Sequence, residues 1–271
     1  MLTDFFQYEF MQRAVLAGLL ISLISSILGV FLVQRKMSFL GSGLSHSALG
    51  GIGLGIFLGI EPMFTAIPFV LIIAFLIFLL REKTELEIDT SIGIFFSVSM
   101  ALGIIFMSSS TGFISDAYSY LFGSILAISK LDLLLAVLTT IIILFFIYVY
   151  WKNFAYSTFD RELAISDGIN VIKEDYILSV LLALSIVISV KLVGIVLISA
   201  FLILPAATAR LIVNKFSKMT IFAMVHSVVT CIMGLFLSFI LDFPSGATII
   251  LLQAIVFIIT ILSKKIYITL N

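Results

Sequence analysis

Residues 131–150 read LDLLLAVLTTIIILFFIYVY, twenty positions with one charged side chain, Asp132, near the start. As a helix rising about 1.5 Å per residue, such a run matches the roughly 30 Å hydrocarbon layer of a bilayer. It has no alternation of polar and apolar positions, so it does not read as a strand of a membrane barrel.

Runs of the same kind recur at 10–33, 42–60, 62–80, 91–109, 176–191, 194–213, 219–241 and 245–263, nine in all with the first. Of the 271 residues 62% are hydrophobic and 11% charged. A soluble domain of that length cannot cover so much apolar surface, whereas lipid removes the need to. The chain is therefore expected to be an all-α polytopic integral membrane protein of about nine transmembrane helices. Residues 1–271 form one membrane domain, with no stretch polar enough to fold separately. Residues 1–12 are acidic and aromatic and lack the basic start of a cleaved signal peptide.

Two stretches resist simple division. Residues 176–213 would be about 57 Å long as one helix, so a break is expected at Lys191–Gly194. Residues 111–127 are semi-polar and suit either a short outer helix or a re-entrant segment. Charge then orients the spans. With the N-terminus outside and the C-terminus inside, twelve of the fifteen Lys and Arg residues fall in inner loops and three, Arg13, Lys130 and Lys191, fall outside. Asp4, Glu9, Glu61, Asp116, Asp132 and Asp242 gather on the outer side, either as solvated loop ends or as a docking or cation-gathering surface. A net charge of +0 offers nothing to nucleic acid. The single cysteine, Cys231, excludes an internal disulfide.

Residues 34–59, QRKMSFLGSGLSHSALGGIGLGIFLG, contain seven glycines, Gly50 and Gly51 among them. Glycine-dense spans let backbones approach closely, so this one belongs in the middle of the bundle. Within it stands His46, four residues after Ser42 and hence on the same helix face. Imidazole is a good ligand for zinc, manganese or iron and a hydroxyl a weak one. The pair reads either as a transit site or as a structural histidine hydrogen-bonded to a neighbour. His226 reads as a packing histidine, because Cys231, five residues on, points elsewhere.

The longest inner loop, 151–175, carries a short amphipathic helix. Ser157 or Asp160 can cap its start and Gly168 can end it in the left-handed region. Phe159, Leu163, Ala164 and Ile169 give an apolar stripe and Asp160, Arg161, Glu162 and Asp167 give polar contacts. Mixed charge suits docking of a protein partner, although an ordinary interfacial helix has the same pattern. Pro205 inside one span frees the carbonyl near Phe201, and Pro244 suits the first turn of the last span. No Walker-type phosphate loop is present, so ATP hydrolysis cannot be this chain's own work. Intramembrane carboxylate pairs, expected of many gradient-driven carriers, are missing as well.

Five segments together resemble one family: VQRKMSFLGSGLSHSALGGIGLG (33–55), YLFGSIL (120–126), FDRELAISDGI (159–169), LISAFLILPAATARLI (197–212) and LDFPSGATIILL (241–252). They resemble the permease subunits of bacterial ABC importers for zinc, manganese and iron, in family order and over nearly the whole chain. The resemblance implies a fold like that of the vitamin-B12-type importers, in the bacterial plasma membrane. It implies partners: a second copy of the chain, a pair of cytoplasmic ATP-binding subunits, and an extracellular metal-binding lipoprotein or periplasmic protein. Residues 159–169 then correspond to a cytoplasmic coupling helix, with Phe159, Asp160, Glu162, Leu163, Ala164, Ile165 and Gly168 as its contacts. His46 matches the family's pathway histidine, and Ser42 stands where relatives usually have Asp. No tightly bound cofactor is implied, only a transported divalent metal, with zinc favoured over manganese or iron by His46 and the missing Asp. A gradient-driven secondary carrier is the competing reading.

Overall fold

The computed structural model describes residues 8–84, 86–110, 119–124 and 128–270, with side chains to 264. The described residues include ten helices, α1 (Glu9–Gln34), α2 (Ser38–Leu58), α3 (Pro62–Lys83), α4 (Ile88–Ser108), α5 (Lys130–Phe159), α6 (Arg161–Ser166), α7 (Val171–Val193), α8 (Ile198–Ile212), α9 (Phe216–Leu241) and α10 (Ser245–Leu270), and residues 119–122 are helical as well. Seven are long and apolar enough to cross a membrane. The exceptions among the longer helices are α2, diluted by glycine, serine and histidine, and α8, which has 15 residues. The expected re-entrant or outer segment at 111–127 lies largely outside the described residues, at 111–118 and 125–127.

α1 and α7 are the most enclosed spans, each about 72% buried over its apolar window, and form the middle of the bundle. α2 packs chiefly against α3 and α4, which together cover most of its surface. This contact requires glycine. A Cβ on Gly51 would lie 2.6 Å from the Ala66 Cα, and one on Gly50 would lie 2.7 Å from the Phe69 ring. Without side chains at these positions the backbones of α2 and α3 meet directly, which is how membrane helices gain contact without a hydrophobic driving force.

The expected break in 176–213 falls at Gly194, which takes a φ of +90°. The four residues Gly194–Leu197 leave helix, and their backbone groups find partners on another segment. Ile195 N donates to Tyr120 O (2.9 Å), Val196 N to Leu121 O (3.2 Å), and Ser124 N to Lys191 O (2.9 Å). The start of α10 seals the other side, where Ser245 Oγ donates to Leu192 O at 3.2 Å. Irregular backbone at membrane depth is tolerated only where protein satisfies it, and here protein does so on both flanks. Pro244 precedes the first residue of α10 instead of lying within its first turn, and its carbonyl accepts from Thr248 N at 3.1 Å. Pro205 is buried inside α8.

The inner loop expected at 151–175 is largely helical. α5 runs on to Phe159 and α7 begins at Val171, leaving α6 tucked between them. Polarity ended the apolar run at Trp151, but helix geometry did not stop there. Ser129 and Asp132 cap the other end of α5 reciprocally. Ser129 Oγ accepts from Asp132 N (3.2 Å) and Asp132 Oδ2 accepts from Ser129 N (2.8 Å).

Candidate transport pathway and coupling segment

α2 presents one stripe that its neighbours leave at least partly open. Phe39, Ser42 and His46 lie along it at spacings of three and four. The next position, Gly50, is closed over by Phe69 and the Ser99 carbonyl. His46 therefore sits where the partly open stripe closes, half-buried, with the Phe96 ring of α4 edge-on at 5.1 Å.

The His46 ring is oriented by its own helix. Its Nδ1 lies 2.9 Å from the Ser42 carbonyl, which also accepts from Ser45 Oγ at 2.8 Å. A carbonyl can only accept, so Nδ1 is the donor here, and in the neutral ring the lone pair is then on Nε2. A ring held through one nitrogen with the other nitrogen free is the arrangement of a metal-ligating histidine. Ser42 thus serves His46 through its backbone, a role legible in the four-residue spacing only once the helix is in place. Among the described residues no three His, Cys, Asp or Glu side chains gather as a metal cluster. His226 is buried in another helix, α9.

At one end of the bundle the short α6 projects. Asp160, not Ser157, caps it, accepting from Leu163 N at 2.9 Å. Gly168, at φ +83°, ends it, with Gly168 N donating to Ile165 O and Ile169 N to Ala164 O, both at 3.0 Å. Ser157 instead donates to Glu174 Oε2 at 2.7 Å. Phe159, Leu163 and Ile165 are exposed, as is Glu162, while Ala164 is fully buried and seats the helix on its own chain. The segment therefore offers outward apolar side chains on a turn fixed at both ends.

Two charge clusters went unread in the sequence. At the α6 end, Arg35, Arg81 and Arg161 converge on Asp175. Burial lowers the Arg35 pKa from its ordinary value, opposed by the neighbouring Asp175 and Glu174, yet a guanidinium stays charged at neutral pH. At the opposite end, Lys191 pairs with Glu61 (2.9 Å) and Asp132 (2.9 Å), with the Tyr120 ring 5.9 Å away. Glu61 and Asp132 are consequently partners of Lys191 and not members of a free acidic surface. Asp4 and Asp116 lie outside the described residues. Lys191→Met leaves the buried Asp132 with its capping bonds only, and is expected to cost about 2 kcal/mol. The check is thermal unfolding of the purified protein in detergent, compared with Lys191→Arg.

The sequence profile of the ABC 3 transport family matches residues 7–264. The chain belongs to that family. The manganese transport system membrane protein MntC of Listeria monocytogenes is 37% identical over 259 residues, covering 94% of this chain and 91% of that one. The high-affinity zinc uptake system membrane protein ZnuB of Haemophilus influenzae is 36% identical, over 95% and 99% of the two chains. Among solved structures, PsaBC from Streptococcus pneumoniae in complex with Fab superposes with a TM-score of 0.86 at 32% identity, covering 96% of this chain and 95% of that one. An inward-facing metal-chelate type ABC transporter, 17% identical with a TM-score of 0.76, shares the fold. The ABC 3 chain described here is accordingly a multi-pass plasma-membrane permease subunit, a transport component and not an enzyme.

Proposed function

We propose that this permease carries a divalent transition-metal ion inward, driven by ATP hydrolysis in a separate subunit pair, with zinc as its cargo. The observation that carries the reading is His46, its Nδ1 engaged by the Ser42 carbonyl at 2.9 Å and its Nε2 left for a ligand, on the open stripe of α2. A neutral imidazole suits zinc, whereas manganese prefers carboxylate and water oxygens. Relatives named for manganese as well as zinc favour manganese as a second reading. Iron is the remaining cargo in the same class.

One imidazole and one hydroxyl make a transit site, weak enough for release. A second copy of the chain facing the same stripe brings a second His46 and encloses the path. The α6 end faces the cytoplasm, because Arg35, Arg81 and Arg161 lie there and basic residues remain inside. All nine longer helices then cross the membrane, with the N-terminus outside and the C-terminus inside. Residues 159–169 dock in the ATPase pair, and an extracellular metal-binding protein delivers the ion to the opposite face.

The test is cellular metal content, measured by elemental mass spectrometry in a strain lacking this gene and complemented with wild type or His46→Ala. Losing a supporting residue around a metal ligand typically costs 10–100-fold, so losing the ligand itself is expected to lower uptake at least about tenfold. Selective restoration of zinc by wild type supports the reading, and restoration of manganese moves it to the second. Equal uptake by wild type and His46→Ala removes His46 from the path.

A further inference from the structure

Asp175 joins four elements of the chain. It lies in the first turns of α7, and its Oδ1 accepts from Arg35 Nη1 at 2.6 Å, just beyond α1. Its Oδ2 accepts from Arg161 Nη1 at 2.8 Å, the first residue of α6, and lies 3.7 Å from Arg81 Nη1 in the last turn of α3. Side chains of Asp175 and Arg35 are 4% and 6% exposed, that of Arg161 42%. Arg35 also donates to Thr158 Oγ1 (2.9 Å), Ser157 Oγ (3.0 Å) and Phe154 O (3.2 Å), all in the last turns of α5.

A second connection runs beside it. Phe159, next to α6, meets the Phe216 ring of α9 edge-on at 5.4 Å, and Phe216 meets Phe31 at 5.2 Å. Phe31 and Arg35 are four residues apart, one turn on α1. An ionic and an aromatic chain therefore lead from the two residues flanking the Asp160 cap to a single turn of the most enclosed part of the bundle.

Stability alone does not explain this construction. A buried ion pair contributes little compared with apolar packing of the same volume. What it supplies is geometry, and α6 needs that: six residues are too few to hold a helix unaided. We propose that Asp175 is a positioning residue for transport, passing displacement of α6 through Arg161 and Arg35 into the inner turn of α1. This rests on the reading of 159–169 as the ATPase-docking segment.

The experiment uses the complete transporter in proteoliposomes, with zinc and manganese supplied in parallel, and reads metal ions moved per ATP hydrolysed. Arg161→Met is expected to lower that ratio at least about fivefold, as loss of about 1 kcal/mol of coupling would, and Arg161→Lys to restore most of it. Asp175 is buried and cannot touch another subunit, so a double-mutant cycle is decisive. If Arg161 acts through Asp175, Arg161→Met with Asp175→Asn is no worse than the poorer single variant. Multiplying effects, or an unchanged ratio in Arg161→Met, would overturn the proposal. Should Asp175→Asn fail to accumulate, Asp175→Glu, with the charge kept and its reach altered, takes its place in the cycle. Leu163→Asp with Ile165→Asp separates the two levels. If that variant transports normally, the docking reading falls and this proposal with it. If it is inactive while Arg161→Met and Asp175→Asn are coupled as wild type, only the role of Asp175 falls.

Discussion

Leu163→Asp combined with Ile165→Asp is expected to bring metal uptake to the level of the gene deletion while the permease still accumulates in the membrane. Leu163 and Ile165 are 54% and 56% exposed on α6 and contribute little to the chain's own core. An exposed apolar pair on a turn capped by Asp160 and ended by Gly168 is suited to fill a groove on a partner. Two carboxylates placed there would each lose hydration without a counter-charge, at no less than a neutral polar group's cost of about 1–3 kcal/mol apiece. Even the lower half of that range, summed to about 3 kcal/mol, weakens docking roughly 100-fold. The helix itself should survive, since its ends are held by the Asp160 cap and the Gly168 and Ile169 backbone bonds, and the dipole favours a carboxylate at 163 in the first turn about as much as it disfavours one at 165 in the last. The measurement is uptake by elemental mass spectrometry, paired with co-purification of the ATP-binding subunit. Loss of both uptake and co-purification with normal membrane levels is the expected result. Normal uptake would remove residues 159–169 from the coupling role.

The second large effect is expected at Gly51, on the fold instead of on coupling. A Cβ there lies 2.6 Å from the Ala66 Cα, 2.9 Å from the Phe69 Cβ and 3.1 Å from the Thr65 carbonyl oxygen. The first and last of these are backbone atoms, so no rotamer change relieves the clash and α3 must move away. Gly51→Ala is expected to cost about 1–3 kcal/mol, the range for overpacking a well-fitted site, and Gly51→Leu more. Displacing α3 would also disturb Thr65 and Ala66, both buried against α2. Membrane accumulation and the melting temperature in detergent should fall in the order wild type, Gly51→Ala, Gly51→Leu. Equal stability of all three would show that α2 and α3 do not meet this closely. His46 lies on the open stripe of the same helix, so Gly51→Leu should also impair uptake, but through loss of protein. His46→Ala should impair it at normal protein level, and the two are thereby distinguished.

Much of this protein is legible in its sequence. The apolar run at 131–150 and its counterparts called for helices, because lipid leaves no other way to satisfy the backbone, and seven of the described helices are long and apolar enough to cross a membrane. The stretch Lys191–Gly194 announced the break in 176–213 and Gly168 the end of α6, because caps are local chemistry between residues a few positions apart, whereas the choice of Asp160 over Ser157 as the α6 cap waited for the structure. The Ser42–His46 spacing placed both residues on one face for the same reason.

What sequence could not determine is who meets whom across the bundle. A soluble helix marks its inward face by an apolar stripe, but a spanning helix is apolar all round, so its sequence carries little signal of which side packs. The glycines of α2 implied close packing without saying that Gly51 abuts Ala66. The same limit hid the charge clusters. Arg35 and Asp175 are 140 positions apart, and Lys191 is 130 from Glu61 and 59 from Asp132. In the sequence Arg35 and Lys191 counted only as loop charges, and Glu61 and Asp132 read either as solvated loop ends or as part of a docking or cation-gathering surface. Only the tertiary structure, by bringing helix ends together at the two faces of the bundle, made them partners, because a charge withdrawn from water, as on Asp175 or Asp132, must find its opposite wherever in the chain that lies.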